Sequence, residues 1–247
     1  MRIFGLIGNP LAHSQSPAFF SQKFENKHIK DAQYRLFPLE EITDIFALLD
    51  REPALCGVNV TTPYKEKIIP YLDALSPAAK AIGAVNVINI HRSNERAVLI
   101  GHNSDYIGFQ RTMQLLDTQP SSALILGTGG AAKAVAYALK LQHIPYQFVS
   151  RNKENSPLTY SLLTQEIIQK TPLIIQATPQ GMWPHIKEKP FIPYQGITPQ
   201  HFLIDLIYNP IETEFLKEGK QRGAKIINGA TMLHAQAEAS WEIWNRD

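Results

Sequence analysis

The sequence has little cysteine and little net charge. Its single cysteine, Cys56, cannot form a disulfide within the chain, which favours a reducing compartment. Because Cys56 stands in the apolar run 55–58, we expect a buried structural thiol and not a nucleophile. The net charge is +2 and Lys and Arg form no run, so the electrostatic signature of a nucleic-acid or anionic-membrane partner is missing.

Long apolar segments and metal-ligand spacings are missing too. No uncharged apolar stretch approaches the length of a transmembrane helix, and the N-terminus lacks the layout of a signal peptide. The eight histidines show no ligand spacing, so we predict no metal site. A hydrophobic content of 44% with 19% charged residues is typical of a folded chain with a sizeable core. We expect a cytoplasmic protein.

Short apolar strands alternate with helical segments along the chain. We predict strands at 3–8, 34–37, 55–60, 85–91, 97–102, 123–126, 146–149, 173–177, 202–206 and 225–227. We predict helices that start at Ser16 as N-cap and near Tyr64, and helices over 39–49, 105–116, 131–140 and 230–246. The strands at 85–91 and 97–102 predict a hairpin around 93–94, and the proline-rich segment 183–199 predicts a loop. This alternation predicts an α/β fold with largely parallel sheets.

Residues 123–136, ALILGTGGAAKAVA, form a strand, a glycine turn and a helix in that order. The glycines let a pyrophosphate approach the backbone, and the helix N-terminus offers free N–H groups. With Ala132 as the third small residue, the pattern is G-x-G-x-x-A. An ordinary strand-to-helix turn is the alternative interpretation. The candidate cofactor-binding residues here are Gly127, Thr128, Gly129, Gly130 and Ala131.

The next strand decides which dinucleotide is expected. NAD specificity usually needs a carboxylate at the tip of that strand to accept from the ribose 2′-hydroxyl. Here the tip reads Ser150, Arg151, Asn152, Lys153 and contains no acid. The planar guanidinium of Arg151 suits a 2′-phosphate, so NADP is favoured, with a solvated loop as the alternative.

Polar residues also collect where strands of the first part end. They are Ser14, Ser16, Asn59, Thr61, Lys65, Asn86, Asn103, Ser104 and Asp105. Taken singly, each has an ordinary explanation as a helix cap, turn former or surface charge. Because the carboxyl ends of parallel strands face the ligand crevice, we expect these groups to converge. The polar segment 118–122 is the expected boundary between two α/β units with a ligand cleft between them.

Six segments together resemble the motif series of the shikimate dehydrogenase family. They are 8–17, 59–65, 83–86, 101–105, 127–131 and 228–233, in the family's order and at its spacing. The resemblance covers nearly the whole chain. It implies an N-terminal substrate-binding α/β domain made of 1–104 plus 229–247, and a C-terminal Rossmann-type NADP-binding domain made of 105–228.

The same resemblance implies an activity. The family carries out NADPH-dependent, reversible reduction of 3-dehydroshikimate to shikimate on the route to chorismate and the aromatic amino acids. Lys65 matches its catalytic lysine, whose ammonium can protonate the developing alkoxide, and Asp105 matches the partner carboxylate. The implied substrate-binding residues are Ser14, Ser16, Asn59, Thr61, Asn86, Tyr208 and Gln236. The implied cofactor contacts beyond the glycine turn are Ser150, Arg151, Asn152, Leu206, Gly229 and Met232. The small-molecule enzyme so implied is a monomer or a homodimer.

Two alternatives stay open. A quinate/shikimate dehydrogenase using NAD would be expected to have an acid near 152 or 153, where this chain has Asn152 and Lys153; Glu154 is ambiguous. A non-catalytic metabolite-binding homologue would be favoured by loss of the lysine or the aspartate, and both are present. The chain also departs from the family's usual pattern, with Ser104 for threonine and Gln176 for asparagine.

Overall fold

The computed structural model describes residues 1–12, 14–92 and 96–246, and these fold as two compact units. The first unit is 1–104 with 236–247, and the second is 105–235. The sequence placed 229–235 with the first unit, whereas in the structure they pack with the second. The reason is local, because the Gly229 N–H donates to the Ile207 carbonyl (3.0 Å) and Met232 lies in the apolar core of the second unit.

The first unit is built on one six-stranded sheet. Its elements are β1 (Arg2–Gly8), α1 (Ser16–Asn26), β2 (Ala32–Pro38), α2 (Asp44–Arg51), β3 (Leu55–Val60), β4 (Ala74–Leu75), α3 (Pro77–Ile82), β5 (Val87–Arg92) and β6 (Ala97–His102). The strand order is β2-β1-β3-β5-β6-β4. Strands β2, β1 and β3 are parallel, but β5 runs antiparallel to both β3 and β6. The sheet is therefore mixed, because the predicted hairpin inserts two antiparallel pairings; its turn at 93–94 lies outside the described residues.

The second unit contains a parallel five-stranded sheet, as predicted. Its elements are α4 (Asp105–Met113), β7 (Ala123–Leu126), α5 (Gly130–Leu141), β8 (Tyr146–Val149), α6 (Gln165–Lys170), β9 (Leu173–Gln176), β10 (Phe202–Asp205), α7 (Glu214–Gln221), β11 (Lys225–Ile227) and α8 (Ala230–Trp244). The strand order is β11-β10-β9-β7-β8. Segment 183–199 is a loop with one 3₁₀ turn, Tyr194–Gly196, which confirms the prediction.

The C-terminal part of α8 returns to the first unit through aromatic packing. Trp244 stacks on Phe4 with ring centroids 4.9 Å apart, and its indole N–H donates to the Ile88 carbonyl (3.0 Å). A side chain at Gly57 would collide with this indole, so glycine lets the strand and the helix approach closely. This packing fixes the last turns of α8 against the first sheet. These turns carry Gln236 and Ser240, two polar residues of the candidate site.

In the first unit, one predicted helix starts later than expected and another is not formed. The helix predicted over 39–49 begins only at Asp44, because the carbonyls of Leu39 and Glu40 accept from the Tyr64 hydroxyl (2.9 and 2.7 Å) and do not enter a helix. The helix predicted from Tyr64 is a series of turns, since the Lys65 carbonyl accepts from Val85 N–H (2.7 Å).

Two smaller predictions also fail. Gln15 and not Ser16 is the N-cap of α1, since Ser16 interacts with the Tyr34 phenol and makes no capping bond. Cys56 is only partly buried, and its thiol donates to the Ala54 carbonyl (3.4 Å).

Candidate functional site

In the first unit, Asn59 at the carboxyl end of β3 lies at the centre of a buried polar network. Its Oδ1 accepts from the Tyr34 hydroxyl (2.8 Å), and its Nδ2 donates to Ser240 Oγ (2.9 Å) and to the Asn86 carbonyl (3.2 Å). Burial raises the pKa of the Tyr34 phenol, so the hydroxyl remains a donor at neutral pH. The network therefore joins β2, β3 and the residue before β5 to the last turns of α8.

Asn86 extends the network toward β6. Its Nδ2 donates to Ser104 Oγ (3.0 Å) and Gln236 Oε1 (3.3 Å), and its Oδ1 accepts from the Ser104 N–H (2.6 Å). The Ser240 hydroxyl donates to the Gln236 carbonyl (2.7 Å) one turn back along α8. Asn86, Ser104 and Ser240 are all buried. A buried network with its hydrogen bonds made holds each amide in one orientation, which suits the recognition of a ligand with several hydroxyls.

Ser14, Thr61 and Lys65 follow the carboxyl ends of the neighbouring parallel strands β1 and β3. Ser14 Oγ accepts from the Ser16 N–H (3.2 Å), and the Thr61 N–H donates to the Ile7 carbonyl (2.9 Å). Lys65 is partly buried, and its backbone carbonyl is bonded to the segment that precedes β5. The first unit thus joins Ser16, Asn59, Asn86 and Gln236 in one network. Ser14, Thr61 and Lys65 follow the ends of two adjoining strands.

In the second unit, the glycine turn after β7 has the conformation that a phosphate-binding corner needs. Gly127 has φ +112°, a left-handed conformation that favours glycine. Gly129 is the N-cap of α5 and makes no side-chain capping bond. A Cβ added to Gly129 would meet no atom within 4 Å, so open space lies over the turn. Thr128, Gly130 and Ala131 complete the turn, and the residues present fit a dinucleotide pyrophosphate.

Substituting Gly129 should weaken NADP⁺ binding while hardly changing the stability of the fold. Gly129 has φ −76°, which alanine adopts freely, so Gly129→Ala should change the free energy of unfolding by less than about 0.5 kcal/mol. The added methyl group occupies the space that the phosphate needs, so we expect the Kd for NADP⁺ to rise ~10-fold or more. Fluorescence titration and thermal unfolding of the same samples test this. Gly127→Ala, at positive φ, is the contrasting variant and should lose about 1–2 kcal/mol of stability.

The loop after β8 presents two cations. Ser150 is buried and its Oγ accepts from the Asn152 N–H (3.1 Å). The Asn152 side chain bonds twice to Glu154, accepting from its N–H and donating to its Oε2 (both 3.1 Å). Arg151 and Lys153 are exposed. The single nearby carboxylate of the loop is therefore engaged by Asn152, while a guanidinium stands at the strand tip.

The loop 206–213 and the start of α8 bring three further candidates together. Leu206 and Met232 share one apolar cluster, and Gly229 N–H donates to the Ile207 carbonyl (3.0 Å). A side chain at Gly229 would overlap the Leu206 carbonyl, so only glycine permits this approach. Tyr208 lies partly buried on the same loop.

Asp105, the first residue of α4, is 4% exposed.

Comparison with known proteins supports the relationship that the sequence motifs imply. A family model described as the shikimate dehydrogenase substrate binding domain matches residues 6–88. The shikimate dehydrogenase (NADP(+)) of Desulforamulus reducens is 36% identical over 270 residues, covering 98% of this chain and 89% of that protein. The chain belongs to the shikimate dehydrogenase family.

Solved structures of this family and its relatives share the fold. Shikimate 5-dehydrogenase from Thermus thermophilus, in complex with NADP(H) and shikimate, aligns with TM-score 0.86 at 29% identity, over 99% of this chain and 94% of that one. Quinate dehydrogenase from Corynebacterium glutamicum, in complex with NAD, aligns with TM-score 0.86 at 27% identity, over 99% and 93% of the two chains.

Two further results concern residues 1–12, 14–92 and 96–246 of this family member. No helix among them has the length and apolar character required to span a membrane. The same residues contain no group of three or more His, Cys, Asp or Glu side chains able to hold a metal ion.

Asp205, at the end of β10, is a buried carboxyl that the family motifs did not reveal. It is 0% exposed, and burial raises its pKa to about 7, although the hydrogen bonds from Thr213 and Ile207 act in the opposite direction. A carboxyl whose pKa is higher in the folded chain than in the unfolded chain binds more protons when folded. Its contribution to stability is therefore complete below about pH 4 and is lost as the pH rises toward 7.

Asp205→Asn should remove this pH dependence. Between pH 5 and pH 8, the free energy of unfolding of the variant should rise relative to that of the parent protein by up to about 3 kcal/mol. Urea unfolding of both proteins at the two pH values measures the difference. A constant difference across this range would contradict a raised pKa for Asp205.

Two members of the network, Tyr34 and Ser240, were not among the predicted polar groups. Ser104 was among the polar groups expected to converge at the strand ends, but no substrate-binding role was predicted for it. Ser240 lies four residues after Gln236, and this helical spacing is the one signal that could have identified it. Nothing in the local sequence of Tyr34 reveals its partner, because Asn59 is 25 residues away in the chain.

Proposed function

We propose that this chain catalyses the reversible, NADPH-dependent reduction of 3-dehydroshikimate to shikimate. The observation that carries the proposal is the network in the first unit that joins the buried Asn59, Asn86 and Ser104 to the partly buried Gln236. A set of fixed amide and hydroxyl groups suits a small ring that carries several hydroxyl groups. The near full-length likeness to an NADP⁺-dependent shikimate dehydrogenase supports the same activity.

Lys65 supplies the proton in the proposed mechanism. Hydride addition, for which NADPH is the source when bound, leaves a developing alkoxide on the substrate. The ammonium of Lys65 stabilises that charge and donates the proton; in the oxidation of shikimate the neutral amine takes it back. Asp105 is the carboxylate that works with Lys65 to orient it and a ring hydroxyl.

The remaining candidates divide into substrate and cofactor contacts. In this proposal Ser14, Ser16 and Tyr208 donate to the substrate carboxylate, and their neutral hydroxyls avoid the cost of burying a cation. Thr61, Asn86 and Gln236 contact the ring hydroxyls, with Asn59 holding Asn86 in place. We assign most of the substrate contacts to the first unit and NADP binding to the second unit.

Cofactor recognition follows the geometry of the second unit. The turn from Gly127 to Ala131 and the N-terminus of α5 would hold the pyrophosphate. Arg151, with Ser150 and Asn152 shaping its loop, binds the 2′-phosphate. Leu206, Gly229 and Met232 would contact the nicotinamide end of a bound cofactor.

A quinate dehydrogenase that uses NAD is the second candidate, because a protein of that description shares the fold. Initial rates with shikimate or quinate, each with NADP⁺ or NAD⁺, separate the two. We expect the highest kcat/KM for shikimate with NADP⁺. A preference for quinate with NAD⁺ supports the second candidate, and no turnover with any of the four pairs indicates a non-catalytic homologue.

A further inference from the structure

The loop 206–213 is held at both ends by a single buried side chain. Asp205 Oδ1 accepts from the Ile207 N–H (2.9 Å), and Asp205 Oδ2 accepts from the Thr213 hydroxyl (2.6 Å). Asp205 is 0% exposed and Thr213 is 1% exposed. One carboxyl group therefore closes an eight-residue loop on itself.

Two more hydrogen bonds hold the loop 206–213, and both come from the segment before α8. Asn228 Nδ2 donates to the Ile211 carbonyl (3.0 Å), and Gly229 N–H donates to the Ile207 carbonyl (3.0 Å). Asn228 Oδ1 also accepts from the Ala230 N–H (3.1 Å), which fixes the start of α8. The loop is thus fastened to the helix that follows it as well as to the strand that precedes it.

Thr213 links this loop to a second element. Its Oγ1 caps α7 by accepting from the Leu216 N–H (3.4 Å), while its hydroxyl proton goes to Asp205. If the Thr213 hydroxyl is lost, Asp205 keeps only the hydrogen bond from the Ile207 N–H, and α7 loses its N-terminal cap. Tyr208, the third residue of the loop, then has fewer hydrogen bonds holding the chain on its C-terminal side.

We propose that Asp205 is a positioning residue for substrate binding: by joining Ile207 to Thr213, it fixes the conformation of the loop that carries Tyr208, the residue to which the proposed function assigns the substrate carboxylate. The inference rests on the proposed function of the chain. Asp205 does not touch the substrate. It acts through Tyr208, so it lowers the cost of ordering the loop when substrate binds.

Thr213→Val tests the proposal, because it removes the hydroxyl and leaves the volume unchanged. We expect the KM for shikimate to rise ~10-fold, the upper range for losing one hydrogen bond, with kcat changed less than ~2-fold. Thr213→Ser restores the hydroxyl and should return KM to within ~2-fold of the parent value. The matched control is Thr171→Val, which removes another buried hydroxyl of the second unit, one that donates to the Ile167 carbonyl.

The hydrogen-exchange rate of the Ile207 amide is a second measurement, and it needs no substrate. We expect this amide to exchange faster in Thr213→Val than in the parent protein, and Thr171→Val to leave it unchanged. Equal KM values for the two valine variants, or unchanged exchange at Ile207, would overturn the proposal. If the parent protein does not oxidise shikimate, the proposed function fails, and the exchange experiment still decides whether Asp205 and Thr213 hold the loop.

Discussion

Replacing Lys65 with alanine is expected to lower kcat for shikimate oxidation by ~10²–10⁴-fold, the usual contribution of a general acid–base group. The KM for shikimate should change much less, because Lys65 acts mainly on charge that develops in the transition state. Steady-state rates with saturating NADP⁺ measure both quantities.

Lys67→Ala is the matched control, since Lys67 is an exposed lysine two residues further along the same turns. Its kcat should remain within ~2-fold of the parent value, because isolated surface charges contribute little. A Lys65→Ala variant with near-normal turnover would remove Lys65 from the mechanism. An equal loss in both variants would indicate damage to the segment and not loss of a proton donor.

Replacing Arg151 with alanine should weaken NADP⁺ far more than NAD⁺. Arg151 is exposed at the tip of β8, and a charge-assisted bond to a phosphate contributes about 1.5–3 kcal/mol. The KM for NADP⁺ should therefore rise ~10–100-fold, while the KM for NAD⁺, which lacks the 2′-phosphate, should change less than ~3-fold. Rates with each cofactor at fixed shikimate measure the two values.

Two variants sharpen the interpretation. Arg151→Lys keeps the charge and loses the planar fork, so it should fall between the parent protein and the alanine variant. Lys153→Ala removes the neighbouring exposed cation and should leave the NADP⁺ preference in place. Equal weakening of both cofactors by Arg151→Ala would mean that the 2′-phosphate is recognised elsewhere.

The fold of the second unit could be predicted from the sequence because its signals are local. The strand at 123–126 is a short apolar run between two serines and a glycine turn, and its neighbour β9 is buried along its whole length in the same way. Helices α6 and α7 were missed, since each is short and lies between segments with stronger patterns. The parallel order then follows from the alternation of strands and helices.

The first unit was harder to predict because distant contacts override local preference. The apolar spacing over 39–49 is that of a helix, yet the Tyr64 hydroxyl takes up the carbonyls of Leu39 and Glu40. Likewise, Val85 takes up the carbonyl of Lys65. Neither partner can be inferred from residues close by in the chain.

The candidate site shows the same division. Ser16, Asn59, Asn86 and Gln236 could be predicted from motifs, and the structure joins them in one unit. Asp205 gave no signal, because it reads as the polar end of a strand; its role depends on Thr213, which folds back to it across the loop. The roles of Lys65 and Asp105 remain predictions from the resemblance.

Transfer of deuterium from cofactor to substrate tests the central claim most directly. The protein is incubated with 3-dehydroshikimate and NADPH deuterated at the transferable position of the nicotinamide, and the product is examined by mass spectrometry and NMR. We predict shikimate that carries one deuterium at the carbon that was the ketone, in amounts equal to the NADPH consumed. Unchanged 3-dehydroshikimate, or shikimate without the label, would contradict the account.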